Sequence, residues 1–309
     1  MSRQEVLRTP EHYFDNLIDY PYPPRYAKVA GLRLHYLDEG AQQGPIVLML
    51  HGEPTWSFLY RRMIPHFVAS GRRVLAPDLI GFGKSDKPAS IEDYSYQRHV
   101  DWLLEWLRDL DLRDITLVCQ DWGSLLGLRL LATEPDRFAQ VVVANGALPT
   151  GDESMPGIFK LWQAFARYSP WFPADRIVQA GCKGPLGKAI RRAYRAPFPD
   201  RRYLAGARAF PRLVPTTPDN PASQANRDAW RLLEQWQRPF LTLFGNADPI
   251  MRPMAKVFQQ RVPGAQGQPH RLLRPAGHFI QEDQGVELAI AIIDWLQPLT
   301  AVPNHGGDH

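Results

Sequence analysis

The sequence predicts an α/β protein whose mostly parallel, doubly wound sheet is interrupted by a helical insertion. Three observations carry this expectation. Short continuous apolar runs recur along the chain, as strands buried on both faces require. They alternate with segments whose apolar residues recur at helical spacing, the pattern of strand–helix–strand units. A proline-punctuated stretch with no good strand separates two such halves.

The elements follow in order. Residues 26–40 alternate as a hairpin, with Gly31 supplying the turn. Pro45–His51 and Arg73–Asp78 are apolar strands, and Leu59, Met63, Ile64 and Phe67 mark a helix between them. Asp101–Leu110 reads as an amphipathic helix. The run 115–119 is a strand, followed by a polar turn and a helix from about 122 to 133, and Gln140–Asn145 is the next strand. From 149 to 222 prolines and aromatics dominate, and short helices joined by loops are expected. The alternation resumes with strand Pro239–Gly245, a helix at Met254–Gln260, strand Gln268–Leu273 and a final helix Val286–Leu296. The expected organisation is a core of residues 1–148 and 223–309 with a helical cap at 149–222. A cap over the carboxyl ends of the strands would close a site and exclude water.

Composition narrows the function classes. The formal charge of +4 is small for 309 residues, which argues against a nucleic-acid surface. Arginine pairs such as Arg61-Arg62 and Arg191-Arg192 are short and read as solvated faces. The start, Met-Ser-Arg-Gln-Glu, has no apolar core of a signal peptide, and no apolar run approaches a membrane span. Cys119 and Cys182 are too few for a disulfide scaffold. A cytoplasmic monomer is the expectation. The tail Asn304–His309 is expected to be frayed. The histidines are scattered and neither cysteine has a ligand-spaced partner, so no metal site is expected.

The segment Ile115-Thr-Leu-Val-Cys-Gln-Asp-Trp-Gly-Ser-Leu-Leu-Gly127 carries the chemistry. Hydrolases of the α/β class place a nucleophile on such a strand-to-helix turn, usually a serine between glycines. Here the position holds Asp121. A carboxylate attacks saturated carbon well, whereas acyl transfer uses an activated serine or cysteine. Asp248, in Gly245-Asn-Ala-Asp-Pro, and His278, in Pro275-Ala-Gly-His-Phe, each follow an expected strand. The chain order of nucleophile, acid and histidine matches the same class. A carboxylate nucleophile needs no deprotonation at neutral pH. The base is needed later, to take a proton from the water that cleaves the ester. His278 suits that task, with Asp248 holding its tautomer. His51, a rival base, ends a buried strand before a glycine turn and reads as structural.

His51-Gly-Glu-Pro-Thr-Trp56 is a second constellation. Backbone N–H groups of Glu53 and of Trp122 are the candidates for an oxyanion hole. A cis Pro54 would hold so tight a turn. Asp78-Leu-Ile-Gly-Phe-Gly-Lys-Ser-Asp86 lacks the spacing of a phosphate-binding loop.

His51-Gly-Glu-Pro-Thr-Trp56, Gly81-Phe-Gly-Lys-Ser85, Gln120-Asp-Trp-Gly123, Asp248 and Gly277-His-Phe279 together resemble the haloalkane dehalogenases, which have the α/β-hydrolase fold. The match is nearest to the subfamily that includes the dichloroethane-degrading enzyme, and it weakens across 149–222. The resemblance implies displacement of halide by Asp121, then hydrolysis of the alkyl ester by water activated by His278, giving an alcohol. The partners it implies are a halogenated alkane, water and the released halide, with no cofactor. It implies two indole N–H donors for the halide: Trp122, and a second one in the cap. Trp162, in Phe159-Lys-Leu-Trp-Gln, fits that place best, with Trp171 as the fallback. It implies that Glu53 helps to position the hydrolytic water. Phe159, Phe210, Pro211, Val214, Ile250 and Met251 are expected to line an apolar pocket. Cys119 departs from the glycine usual two residues before the nucleophile, and 181–187 has no clear match.

Two rivals stand beside this reading. An epoxide hydrolase would use the same acid, base and nucleophile but polarise its substrate with cap tyrosines, for which Tyr168, Tyr194 and Tyr203 are available. Glu53 and Gln120 favour dehalogenation. A non-catalytic binding protein on the same fold is the rival of another class.

Overall fold

The computed structural model describes residues 5–297. Most of the charged start and the tail Asn304–His309 lie outside them. The strands in chain order are β1 (Val6–Leu7), β2 (Arg25–Val29), β3 (Leu32–Glu39), β4 (Ile46–Leu50), β5 (Arg73–Pro77), β6 (Lys87–Pro88), β7 (Ile115–Asp121), β8 (Phe138–Gly146), β9 (Phe240–Gly245) and β10 (Arg271–Leu273). Among the described residues, eight of them form one sheet in the order β10-β9-β8-β7-β4-β5-β3-β2. Pairing is parallel from β10 to β5 and antiparallel for β3 and β2. The first chain reversal needs no helix because β2 and β3 form a hairpin.

The helices are α1 (Ile64–Ala69), α2 (Tyr96–Asp109), α3 (Trp122–Thr133), α4 (Gly157–Tyr168), α5 (Ala174–Gly181), α6 (Lys188–Arg195), α7 (Ala205–Leu213), α8 (Ser223–Leu233), α9 (Met254–Arg261) and α10 (Ile280–Leu296). They cover both faces of the sheet, and the side-chain alternation of the strands shows why. In β4, Val47 and Met49 point into the core shared with α1 and α10, while Leu48 and Leu50 point into the core shared with α2 and α3. Val142 and Val118 face the first core; Val141, Val143, Leu117 and Cys119 face the second. A strand buried on both sides cannot alternate apolar with polar, so it reads as a continuous apolar run. The helix α3 is apolar nearly all round because α2, α8 and the sheet enclose it. Each of its buried leucines contributes roughly 1.5–3 kcal/mol relative to exposure.

Several elements differ from the sequence expectation. The helix expected around Leu59–Phe67 is a 3-10 turn, Ser57–Tyr60, followed by the short α1. The helix expected at Asp101 begins at Tyr96, capped by the Ser95 hydroxyl, which accepts from the Arg98 N–H. The last helix begins at Ile280, six residues before the expected start, with a kink at Gln284. The helix α8 and the small β1–β6 pair were not foreseen.

Between β8 and β9 the chain leaves the sheet and forms α4 to α8. The helix α8 packs on α3, whereas α4 packs on α7 and α5 on α6. A buried ion pair ties this region to the core. Arg61 donates to the Glu282 carboxylate, which also accepts from the hydroxyl of Tyr194 on α6. Among the described residues, no helix is long and apolar enough to cross a membrane.

Candidate active site

The central strands β4 and β7 end side by side, and their loops build the site. Asp121 closes β7 and precedes α3, with φ of 51° and ψ of −125°. A non-glycine residue in that region is strained and is held by its surroundings. The hold is steric. At Gly123 an added Cβ would stand 1.9 Å from the Leu50 carbonyl oxygen, so only glycine lets α3 start this close to β4. The Ser124 hydroxyl donates to the Ala147 carbonyl at 2.9 Å and accepts from the Ala147 N–H at 2.8 Å, which pins α3 to the end of β8. Cys119 is small enough for the crowded position two residues before the turn, and it is fully buried against Val142.

The loop after β4 faces Asp121. The Glu53 N–H donates to Asp121 Oδ1 at 2.9 Å. Among the described residues, no such bond comes from the Trp122 N–H, the second amide expected in the oxyanion hole. The Glu53–Pro54 peptide is cis. His51 holds the loop from beneath: its Nε2 accepts from the Leu79 N–H at 3.0 Å, and Nδ1 lies 2.9 Å from the Gly52 carbonyl. A ring whose two nitrogens are occupied by backbone, and which burial holds below its ordinary pKa, is a neutral strut.

His278 stands on the other side of Asp121. Its Nδ1 lies 2.8 Å from Asp248 Oδ2, and its Nε2 lies 3.6 Å from Asp121 Oδ2. Burial works against a charged imidazole, but Asp248 and Asp121 outweigh it and push the His278 pKa up to about 10. Burial also works against ionisation of Asp248. The imidazole and the N–H groups of Met251 and Ile250 nevertheless hold it below the usual carboxylate range. Glu53 goes the other way: burial first, then the charge of Asp121, raise its pKa well above the ordinary value.

Gln120, the residue before Asp121, also touches the histidine. Its amide nitrogen lies 3.2 Å from His278 Nε2 and 3.2 Å from the His278 carbonyl oxygen. A carbonyl only accepts, so the nitrogen is the end that faces it. That same nitrogen can donate to Nε2 only when the ring is neutral. The contact therefore opposes the two carboxylates, which prevail while both carry full charge.

These groups border a cavity of about 240 Å³ under α4 and α7. Its wall includes Glu53, Asp121, Trp122, Phe159, Trp162, Pro211, Val214, Ile250 and Met251. His278 and Asp248 lie behind it. Sequence reasoning missed Leu125, Ala147, Met155 and Met254, which also line it. Phe210 is not in the wall. It is fully buried behind Trp122, with ring centroids 4.3 Å apart, and also packs against Phe82 and His99. It sits one helix position too far round α7 to reach the cavity, where its neighbour Pro211 does. Trp171 is 54% exposed and away from the cavity. The tyrosines fall elsewhere too. Tyr168 is exposed, Tyr194 is bonded to Glu282, and among the described residues no tyrosine lines the cavity.

The stretch 181–187, unmatched in the sequence, lies against the histidine loop. The Gly181 carbonyl accepts from the His278 N–H at 2.7 Å. No residue-type signal marks this contact, because both partners are backbone.

Comparison with known proteins agrees with the geometry. A family profile described as the alpha/beta hydrolase fold matches residues 45–284. The chain is 56% identical over 299 residues to a haloalkane dehalogenase of Mycolicibacterium paratuberculosis, covering 95% of this chain and 99% of that one. It is 50% identical over 297 residues to one of Psychrobacter cryohalolentis, covering 94% and 98%. Among solved structures it is similar to the tetrameric haloalkane dehalogenase of Paraglaciecola agarilytica, with a TM-score of 0.86 at 36% identity, over 93% of this chain and 97% of that one. Together with a carboxylate on the β7–α3 turn that borders an apolar cavity, this coverage leads to one conclusion: the chain belongs to the haloalkane dehalogenase family and has the α/β-hydrolase fold.

Proposed function

We propose that the chain hydrolyses haloalkanes to an alcohol and halide through an alkyl ester on Asp121. One observation carries the reading. A carboxylate on a strained turn opens into an apolar cavity, with an amide on one oxygen and a histidine–aspartate pair behind the other. In the first step Asp121 Oδ2 attacks the halogen-bearing carbon, the carbon–halogen bond breaks, and the electron pair leaves with the halide. The cavity wall desolvates the carboxylate and the alkyl chain together.

Trp122 and Trp162 are the halide donors in this proposal. Indole N–H only donates, and buried indoles usually find an acceptor. Trp56 bonds the Ala193 carbonyl and Trp230 the Leu148 carbonyl. Among the described residues, Trp122, Trp162, Trp106 and Trp236 lack a protein acceptor, and of these only Trp122 and Trp162 border the cavity.

In the second step water attacks the ester carbon. His278 Nε2 takes a proton, Asp248 stabilises the resulting imidazolium, and the Glu53 N–H receives charge developing on Oδ1. The side chain of Glu53 positions the water; its Oε1 is buried without a protein partner. Collapse returns Asp121 and releases the alcohol. Phe159, Pro211, Val214, Ile250 and Met251 shape the space for the alkyl chain. The indole pair supports a place in the subfamily that includes the dichloroethane-degrading enzyme. The proposal needs one copy of the chain, a halogenated alkane and water. Two free cysteines suit a reducing, cytoplasmic setting.

The test is trapping. His278→Gln mixed with 1,2-dibromoethane or 1-bromobutane is expected to release one burst of bromide and to leave an alkyl mass on the Asp121 peptide. An adduct on another peptide contradicts the proposal.

A further inference from the structure

The loop that carries His278 is not held by the sheet alone. His278 and Phe279 both direct their backbone N–H groups at the Gly181 carbonyl, at 2.7 and 3.4 Å. Gly181 ends α5, so the base is hung from the cap. The reverse contact is made by Asp283, on the first turn of α10. Its carboxylate accepts from Gly277 N–H at 2.8 Å, on the histidine loop. It also accepts from Lys183 N–H at 2.9 Å and Gly184 N–H at 3.0 Å, on the cap turn. One side chain thus gathers three backbone donors from two segments about a hundred residues apart.

The fit around this clamp is tight. A Cβ at Gly277 would stand 2.3 Å from the Gly181 carbonyl oxygen, and a Cβ at Gly181 would stand 2.6 Å from the Phe279 ring. Both glycines are required by close approach rather than by an unusual φ. The nucleophile has separate supports. Asp121 is fixed by the β7–α3 turn and by the Glu53 amide, and none of these touches Asp283. Gln120 and Asn145 also donate to the His278 carbonyl, at 3.2 and 3.0 Å, but from the sheet side. Of these three side chains, Asp283 is the one that joins the histidine loop to the cap, beside the backbone bonds to Gly181.

We propose that Asp283 is a positioning residue for the second half of the reaction. By closing the cap turn 181–184 on the histidine loop, it sets the distance from His278 Nε2 to the ester on Asp121. It acts on ester hydrolysis and leaves alkylation nearly untouched. The inference rests on Asp121 being the alkylated residue and His278 the base.

The experiment separates the two steps in Asp283→Ala and Asp283→Asn. Each variant is mixed with 1-bromobutane under rapid quench. The bromide burst reports alkylation, and decay of the alkyl-enzyme mass reports hydrolysis. In Asp283→Ala the burst rate is expected within about threefold of the unaltered protein. Hydrolysis is expected to slow by about tenfold or more, the scale of a small misplacement of a catalytic group. Asp283→Asn keeps one acceptor oxygen but sets its NH2 group against a backbone N–H on the other side of the clamp, so it is expected to recover little of the hydrolysis rate. Equal slowing of both steps overturns the proposal, as does unchanged hydrolysis in Asp283→Ala. Failure of both variants to fold also overturns it, because Asp283 is then a structural residue of the core. If the trapped adduct of His278→Gln is not on Asp121, the underlying reaction scheme fails instead, whatever Asp283 does.

Discussion

The backbone N–H of Glu53 holds Asp121 Oδ1 at 2.9 Å, and so distinguishes the two oxygens of one carboxylate. Oδ2 is left facing the cavity and His278. In the proposed reaction Oδ2 attacks, and Oδ1 is already where negative charge develops in ester hydrolysis. The Glu53 side chain has a different task. Burial and the charge of Asp121 favour its neutral acid form, which is nearly isosteric with an amide. Glu53→Gln is therefore expected to keep turnover within about threefold, while Glu53→Ala slows ester hydrolysis by about three- to tenfold, the worth of one neutral hydrogen bond. Steady-state bromide release and alkyl-enzyme decay check both.

The position of His278 between two acids predicts when the proton leaves. With a pKa near 10 it is protonated in the free protein at neutral pH. Alkylation turns Asp121 into a neutral ester and removes one of the two raising charges. Burial and the Gln120 amide then favour the neutral ring, so the pKa falls and a proton is released. Stopped-flow with a pH indicator is expected to show a proton burst in step with the bromide burst. A proton signal lagging the bromide burst contradicts this. In His278→Gln the bromide burst is expected without its proton.

The indoles make a graded prediction. Removing one donor to a charged acceptor costs about 1.5–3 kcal/mol, or roughly 10- to 100-fold in rate. Trp122→Phe and Trp162→Phe are each expected to slow the bromide burst by that factor. Trp171→Phe, on the exposed face of the cap, is expected to leave it unchanged. The burst rate with 1-bromobutane distinguishes the two cap tryptophans.

Gly123 tests the turn itself. An alanine there would drive its Cβ to 1.9 Å from the Leu50 carbonyl, a backbone atom with nowhere to go. Gly123→Ala is expected to cost about 2 kcal/mol or more, by the usual penalty for overpacking. Urea unfolding at fixed pH measures it.

Much of the fold was legible because strands buried on both faces must be apolar throughout. Val47–Leu50 and Val141–Val143 announce themselves for that reason. That Asp121, Asp248 and His278 would meet was legible because they follow three strands in the chain order of this hydrolase class, and the structure brings them within 3.6 and 2.8 Å of one another. Phe210 was misplaced because sequence gives no rotation of α7 about its axis. That rotation decides whether Phe210 or Pro211 meets the cavity. The early start of α10 was hidden because Gln281, Glu282 and Asp283 look like a solvated loop. Glu282 is instead paired with Arg61 from a distant part of the chain, and Asp283 accepts from backbone N–H groups of Gly277, Lys183 and Gly184. The Gly181–His278 contact was invisible, since neither partner uses a side chain.

The central claim is that Asp121 is transiently an ester and that water opens it at the carbonyl carbon. A single turnover with protein in excess over 1-bromobutane, run in ¹⁸O-labelled water, tests this most directly. The account predicts unlabelled butanol and one ¹⁸O in the Asp121 peptide. Labelled butanol with an unlabelled peptide would mean that water displaced the halide itself, and would contradict it.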